Sequence, residues 1–447
     1  MKPEKDFESV DFGDKRLEKR LRQVVEDSRK NVGKSILSSG GERNSAKAFY
    51  RLLGNESFDF ASMQESVRSA TIRRMTGVVL LIQDTSELNL NGHKKTQGLG
   101  YCSENVRGIR IHSCIALNTE GVPFGLVGQQ YQTRAQPKSE LSRSQKMARP
   151  IEDKESFRWL EMMEESTKDI PQDIKTVTIC DREGDFYGLY TKAAHLGRDF
   201  IIRVTHNRNC DNDEKVANKI RKTNACAKVS VNIPRDSRRG TPPRQTEMEI
   251  AYCQVSIKRP ANIHDNITPK SLTINLVRIS ELTPPDGHSP IEWILATSLA
   301  LNNHEDAMTV VEYYIQRWKV ERFYFVLKSG CNAEKIQQRT YERILPVLLI
   351  YSVIALFIMA VTYLGRMSPD MPCDLFFEDD EWKVLYRVIH KTKIAPSSPY
   401  TMAQAISYLG QLGGFKRSPS DGPPGLKSIW QGLCALFQAI DLLMGQV

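Results

Sequence analysis

Residues 78–84 read VVLLIQD, and residues 176–181 read TVTICD. Each is a short apolar run rich in β-branched side chains that closes on an aspartate, the pattern of a buried strand. Between them lie two more strand candidates, Ile109–Leu117 and Phe124–Tyr131, joined as a hairpin by Asn118-Thr119-Glu120-Gly121. A helical stretch, Phe157–Glu165, precedes the second run; a helix over Phe186–His195 and a strand over Phe200–Val204 follow it. Strand, hairpin, helix, strand, helix, strand predicts a mixed α/β sheet with Asp84 and Asp181 at strand ends. Aspartate often follows a strand simply as a turn or cap residue, so these two need a third carboxylate before they mean chemistry.

That third carboxylate is Glu321, on a long amphipathic helix expected over Asp306–Lys328. At 100° per residue, Tyr314, Arg317, Glu321 and Lys328 fall within about 60° of one another. An exposed helix with ordinary ion pairs would show the same spacing, but Trp318, Val320, Phe323 and Phe325 read as core neighbours. Hard divalent cations take oxygen ligands, and phosphate and water complete a partial carboxylate set. Two such ions can activate a water or a 3′ hydroxyl and stabilise the leaving oxygen of a phosphodiester.

Outward from this core the composition shifts. Residues 203–246 hold eleven Lys/Arg against four Asp/Glu. Lys228–Ile233, Met248–Ile257 and Ser271–Val277 alternate like strands, so a β-rich basic insertion is expected over about 207–300. So one-sided a charge density favours a polyanion nearby. Residues 1–75 read as helices, with Arg16, Lys19, Arg20 and Arg22 on a charged stretch and a Gly/Ser turn at Ser38–Gly41. A solvated face is the plainer account of that stretch; a small phosphate-gripping module is the functional one. After residue 366 the chain has a loop-rich segment with one helix, helices over Thr401–Leu412 and Leu426–Met444, and a linker at Ser418–Gly425.

The bulk numbers set bounds. A chain of 447 residues suggests two to four domains. Hydrophobic residues at 40% and charged residues at 26% suit a globular protein, and a net charge of +9 favours nucleic acid or an anionic membrane surface as partner. Nine scattered cysteines without a CxxC pair argue against a disulfide framework and a zinc site, which fits a reducing cytoplasm. The charged N-terminus has no apolar region of a signal peptide. Ile344–Leu364 has no charged residue and is long enough to span a bilayer. We read it as the buried spine of a large domain, with no membrane partner, because its flanks look soluble.

Ile82–Ser86, the run Cys180–Asp185 and the spaced Tyr314, Arg317, Glu321 and Lys328 resemble the DDE transposases of the IS-four class. The resemblance extends to Gly13–Leu17, Phe49–Arg51, Arg107-Gly108, His112-Ser113 and Trp293 in PIEWILATS. It implies a ribonuclease-H-like mixed-sheet core with a β-rich insertion over residues 76–365, a helical DNA-binding domain over 1–75, and a dimerising helical region over 366–447. Asp84, Asp181 and Glu321 would be the catalytic metal ligands, holding two Mg²⁺ ions for which Mn²⁺ can substitute. Tyr314, Arg317 and Lys328 would hold DNA near the cleaved end, Arg203 would contact it, and Trp293 would stack on a flipped base. Arg16, Arg20, Lys34 and Arg51 are the DNA contacts expected of the N-terminal domain. Thr205 departs from the pattern, standing where a member of the family has lysine. The implied function is cut-and-paste transposition in a bacterial cytoplasm by a homodimer on paired terminal inverted repeats, joining their 3′ ends to target DNA. A ribonuclease-H-like nuclease or resolvase that joins nothing, or a non-catalytic DNA-binding inhibitor, are the competing readings.

Overall fold

The computed structural model of the chain describes residues 2–34, 43–134, 154–210, 213–233, 242–261, 263, 267–416 and 422–444. The turn read at Ser38–Gly41 and the first half of the linker at Ser418–Gly425 lie outside them. Helices α1 (Lys15–Lys30), α2 (Arg43–Leu53) and α3 (Phe60–Arg74) open the chain. Strand β1 (Val78–Asn89) and the hairpin β2 (Gly108–Leu117) and β3 (Pro123–Gln132) follow, then α4 (Phe157–Thr167), β4 (Lys175–Cys180), α5 (Tyr187–Leu196) and β5 (Asp199–Arg203). Helix α6 (Val216–Lys222) leads into β6 (Ala227–Ile233), β7 (Arg244–Lys258), β8 (Ser271–Glu281) and β9 (Glu292–Thr297). Helices α7 (His304–Ile315), α8 (Trp318–Phe325), α9 (Tyr341–Met367), α10 (Asp379–His390), α11 (Met402–Leu412) and α12 (Leu426–Met444) complete it. Packing gathers these into two compact units: Gly77–Asp84 with Glu140–Trp318, and Met1–Thr76 with Thr85–Ser139 and Lys319–Val447.

The first of these, the sheet unit, is a mixed sheet in the order β1-β4-β5-β9-β8-β7-β6. Strands β1, β4 and β5 run parallel, and every pairing from β5 onward is antiparallel. A parallel pair needs a crossover, and α5 supplies the one between β4 and β5. Trp159 and Met163 of α4 and Tyr187, Leu189 and Tyr190 of α5 pack with Phe200, Ile202, Val255, Leu276 and Ala296 of the strands. The expected mixed α/β class holds, with three differences. Strand β1 does not end at Asp84 but continues to Asn89, because the backbone stays extended where the apolar run stops. Helix α6 and strand β9 were not legible as elements, and β9 carries Trp293. The basic stretch is also less exposed as charge than its composition suggests. Arg208 pairs with Asp185, Arg221 with Glu292, Lys222 with Glu214 and Arg244 with Glu281. Three of those four acids lie outside residues 203–246, so a window count could not find them.

In the second, helical unit, α9 is the spine. Its most apolar 18-residue window is 94% buried, as the buried reading of Ile344–Leu364 expects. The N-terminal segment is built into the same body. Arg29 Nη2 donates to Glu381 Oε1 at 2.8 Å, with both side chains 3% exposed, and its guanidinium lies 5.1 Å from the Phe437 ring centroid. Arg74 donates to both carboxylate oxygens of buried Asp6, at 2.6 and 3.0 Å, and to the Phe124 carbonyl at 2.7 Å. The residues around β2 have architectural tasks. Arg107 donates to the carbonyls of Leu99 and Thr96, both at 3.1 Å, and braces that loop. A Cβ on Gly108 would sit 1.9 Å from the Leu88 carbonyl oxygen, so only glycine fits. His112 Nδ1 and Thr85 Oγ1 share a hydrogen bond of 2.9 Å, and Ser113 accepts from Gln129 at 2.8 Å. In α12, part of the region expected to dimerise, Ile429, Leu433, Leu436 and Phe437 are buried within the chain, while Leu442 and Leu443 are exposed.

Breaking one side of a buried ion pair strands the other charge, at a cost of about 3–5 kcal/mol. Arg29→Ala should therefore lower the unfolding free energy by about that amount in urea titration, and Arg29→Met with Glu381→Leu should recover most of it. A loss below about 1 kcal/mol for Arg29→Ala would show that the pair does not hold the N-terminal segment in place.

Candidate active site

Strands β1 and β4 pair in parallel with Ile82 opposite Ile179. Two residues beyond those partners, the chains reach Asp84 and Asp181. Side chains alternate along a strand, so each aspartate shares the face of its buried isoleucine, and neighbouring strands lie about 4.8 Å apart. The register thus brings both aspartates to the same end of the paired strands, Asp181 one residue past the end of β4. Asp181 caps the 3₁₀ turn Arg182–Gly184, its Oδ1 accepting the Glu183 N–H at 2.8 Å. That turn passes so close to β4 that a Cβ on Gly184 would lie 2.5 Å from the Cβ of Cys180. Glu183 is fixed in turn by Arg158, whose Nη2 donates to its Oε2 at 2.6 Å.

Cations and rings gather around this pair. Arg317 Nη1 lies 3.6 Å from Asp84 Oδ2. Tyr314 is buried; burial pushes its phenol above the ordinary range, Asp181 adds to the push, and Arg317 and Arg203 oppose it. It is therefore a neutral hydroxyl that can donate a hydrogen bond. Arg203, the last residue of β5, holds its guanidinium 5.7 Å from the Trp293 ring centroid. Trp293 is half-buried and meets Tyr314 edge-on at 5.4 Å. Burial lowers the pKa of Arg203; Arg182 and Arg317 lower it further, while Tyr314 holds it up. Guanidiniums crowded this way are stabilised by an anion, and their planar donors match phosphate.

The single helix expected over Asp306–Lys328 is interrupted twice. Gln316 and Arg317 donate their N–H groups to Tyr313 and Tyr314, at 3.1 and 3.0 Å, in a tightened turn between α7 and α8. Residues Val326–Gly330 then form a π turn. Each change of winding shifts the angular phase, so the stripe calculated from 100° per residue does not extend from Tyr314 to Lys328. No proline or glycine announces the first break. Asp84, Asp181, Arg203, Trp293, Tyr314 and Arg317 all belong to the sheet unit. Glu321 on α8 and Lys328 in the π turn belong to the helical unit and are half-buried. Arg16 and Arg20 on α1, Lys34 in the segment that follows α1, and Arg51 on α2 are exposed in the helical unit, as phosphate contacts need to be. Among the described residues, no three His, Cys, Asp or Glu side chains form a group ready to hold a metal ion. The donors that the Asp84–Asp181 pair offers are hard carboxylate oxygens, which suit Mg²⁺ with phosphate and water completing the shell. Sequence reasoning passed over Asp185 and Arg208; the second aspartate of the run Cys180–Asp185 was the available signal.

Residues 3–58 match the transposase DNA-binding family, residues 155–358 the transposase DDE domain, and residues 353–442 the transposase Tn5 dimerisation domain. The DDE match contains Asp181 and Glu321 and begins after Asp84. Among solved structures, a cryo-EM structure of piggyBac transposase in a synaptic complex with hairpin DNA aligns at a TM-score of 0.37 and 10% identity, over 81% of this chain and 67% of that one. A DNA-binding, a catalytic and a dimerisation region follow one another along a single chain, and the protein belongs to the Tn5-like DDE transposases, which are metal-dependent DNA enzymes.

Proposed function

We propose that Asp84, Asp181 and Glu321 hold the divalent metal with which this transposase cuts the terminal inverted repeats of its element and joins them to target DNA. The observation that carries this reading is the register of β1 and β4, which brings Asp84 and Asp181 to the same end of the paired strands beside the Arg203, Tyr314 and Arg317 cluster. Bound Mg²⁺, or Mn²⁺ in its place, supplies an activated water at neutral pH and stabilises the oxygen that leaves, and a two-ion site would serve both oxygens at once. The side chains do the rest. Arg317 and Arg203 take the non-bridging oxygens of the scissile phosphate, and Tyr314 donates its hydroxyl to one of them. Water attacks phosphorus and the P–O3′ bond breaks, leaving a 3′ hydroxyl on one side and a 5′ phosphate on the other; the 3′ hydroxyl later attacks a target phosphorus, where a second P–O3′ bond breaks and the target strand leaves with its own 3′ hydroxyl. Lys328 holds the strand beyond the cut, and Trp293 receives a base displaced from the stack. Arg16, Arg20, Lys34 and Arg51 grip the phosphates of the repeat. A homodimer on paired ends, working on the nucleoid in a bacterial cytoplasm, completes the proposal.

Alanine at Asp84, Asp181 or Glu321 should abolish nicking and the joining of a precleaved end while end binding persists, because affinity rests on phosphate neutralisation elsewhere. Arg317→Ala should instead keep Mn²⁺ binding by calorimetry, since it removes a cation from beside Asp84, yet slow nicking about a hundredfold through misplacement of the phosphate. Near wild-type nicking by any of the three carboxylate variants removes that residue from the ligand set. Cleavage without joining in the wild type would favour a nuclease.

Ion pairing within the sheet unit leads to a second expectation. Arg16→Ala and Arg20→Ala should each lower the slope of log affinity against log salt by about one, whereas Arg221→Ala should leave it unchanged because that guanidinium is committed to Glu292. An equal change from Arg221→Ala would place DNA on the insertion.

A further inference from the structure

Four residues after Asp181 the same run carries a second aspartate, to which the reaction as proposed gives no task. Asp185 is 1% exposed, yet its carboxylate is ringed with donors. Its Oδ2 accepts the backbone N–H groups of Thr205 at 2.6 Å and His206 at 2.7 Å. Its Oδ1 accepts from Arg208 Nη1 and from the Tyr190 hydroxyl. Arg208 Nη2 also donates to the backbone carbonyl of Asp185 at 2.6 Å, and the guanidinium lies 5.4 Å from the Tyr190 ring centroid.

The position of this carboxylate in the chain gives it a consequence for the site. The ladder between β4 and β5 ends with Cys180 opposite Ile202. Past that point the two chains part: Asp181 leaves β4 for a turn, while Arg203 ends β5 still paired with Leu295 of β9. On one path, the 3₁₀ turn Arg182–Gly184 leads from Asp181 to Asp185, closed by Gly184 N–H to the Asp181 carbonyl at 3.2 Å and Asp185 N–H to the Arg182 carbonyl at 3.3 Å. On the other path, Val204 N–H bonds the Ile294 carbonyl at 2.8 Å, and Thr205 and His206 follow directly. Asp185 clasps the two paths together where the pairing of β4 with β5 has stopped. A buried carboxylate is a poor source of net stability. Hydrogen bonds to a charged acceptor are short and directional, however, and so fix a separation that apolar packing would leave loose.

We propose that Asp185 is a positioning residue. It sets the spacing between Asp181, a metal-holding carboxylate, and Arg203, a phosphate-contacting guanidinium, an inference that rests on the assignment of those two roles above. Asp185→Asn keeps the shape of the side chain but turns one acceptor into a donor facing other donors.

The test is a double-mutant cycle on the nicking rate of the full chain with its end DNA. Asp185→Asn alone should slow nicking about a hundredfold with end binding preserved. In an Arg203→Ala background the same change should cost no more than about twofold, because the group being placed is gone. A purely structural role would give the same loss in both backgrounds; that outcome, or wild-type nicking by Asp185→Asn, overturns the proposal. If thermal melting shows that Asp185→Asn does not fold, Tyr190→Phe goes through the same cycle. It removes one donor and leaves the carboxylate, and its loss of rate should vanish with Arg203→Ala; persistence of that loss overturns the proposal. Asp84→Ala is run alongside. If it nicks normally, the metal assignment itself fails; if it is inactive while the cycle is additive, only the role of Asp185 fails.

Discussion

The parallel register of β1 and β4, which brings Asp84 and Asp181 to the same end of neighbouring chains, is the constraint on which the site depends. The register that puts Ile82 opposite Ile179 is set by buried apolar side chains, and a slip of one residue would turn those isoleucines to the wrong face. The core therefore dictates the position of Asp84 and Asp181 whether or not a cation is at hand. Arg317, 3.6 Å from Asp84, supplies a positive charge from the protein itself. Its guanidinium also stands next to Tyr314 and within the field of Arg203. Negative and positive groups are thus arranged in adjacent layers, one suited to a hard cation and the other to a phosphate.

Much of this arrangement was legible in the sequence because its signals are local. A run such as VVLLIQD fixes both the strand and the residue that follows its apolar part, and the hairpin over Asn118–Gly121 shows in its turn residues. The features that escaped are those in which distant residues decide. Helix periodicity joined Tyr314 to Lys328 in one stripe, whereas the chain tightens at Gln316 and Arg317 and widens at Val326–Gly330 for tertiary reasons that local propensity does not record. The basic excess of residues 203–246 favours a polyanion when counted alone, yet Arg208, Arg221 and Arg244 each find an acid elsewhere in the chain. Strand β9 was missed because PIEWILATS is too short and irregular to declare its pairing with β8 and β5. Asp185 was visible as a letter in the motif, but its role appears only when Thr205, His206 and Arg208 fold onto it.

The helical unit shows the same logic at larger scale. Helix α9 is apolar on all sides because it is surrounded on all sides, and its composition alone could equally describe a membrane span. What sets it in a packed body is the network around it: Arg29 with Glu381 and two phenylalanine rings, Arg74 with Asp6, and Tyr351 donating to the Lys34 carbonyl. Residues near the start of the chain are thereby tied to helices near its end. The motif residues around β2 serve this architecture too, since Gly108 and Arg107 act by close approach and loop bracing.

Metal binding by Asp84 and Asp181 can be observed directly. Crystals of the protein bound to precleaved end DNA and soaked in Mn²⁺ would test it through anomalous diffraction at the manganese edge. A peak is expected within coordination distance, about 2–2.5 Å, of carboxylate oxygens from both Asp84 and Asp181. A manganese peak elsewhere on the protein, with Asp84 still paired to Arg317 and Asp181 without metal, would contradict it.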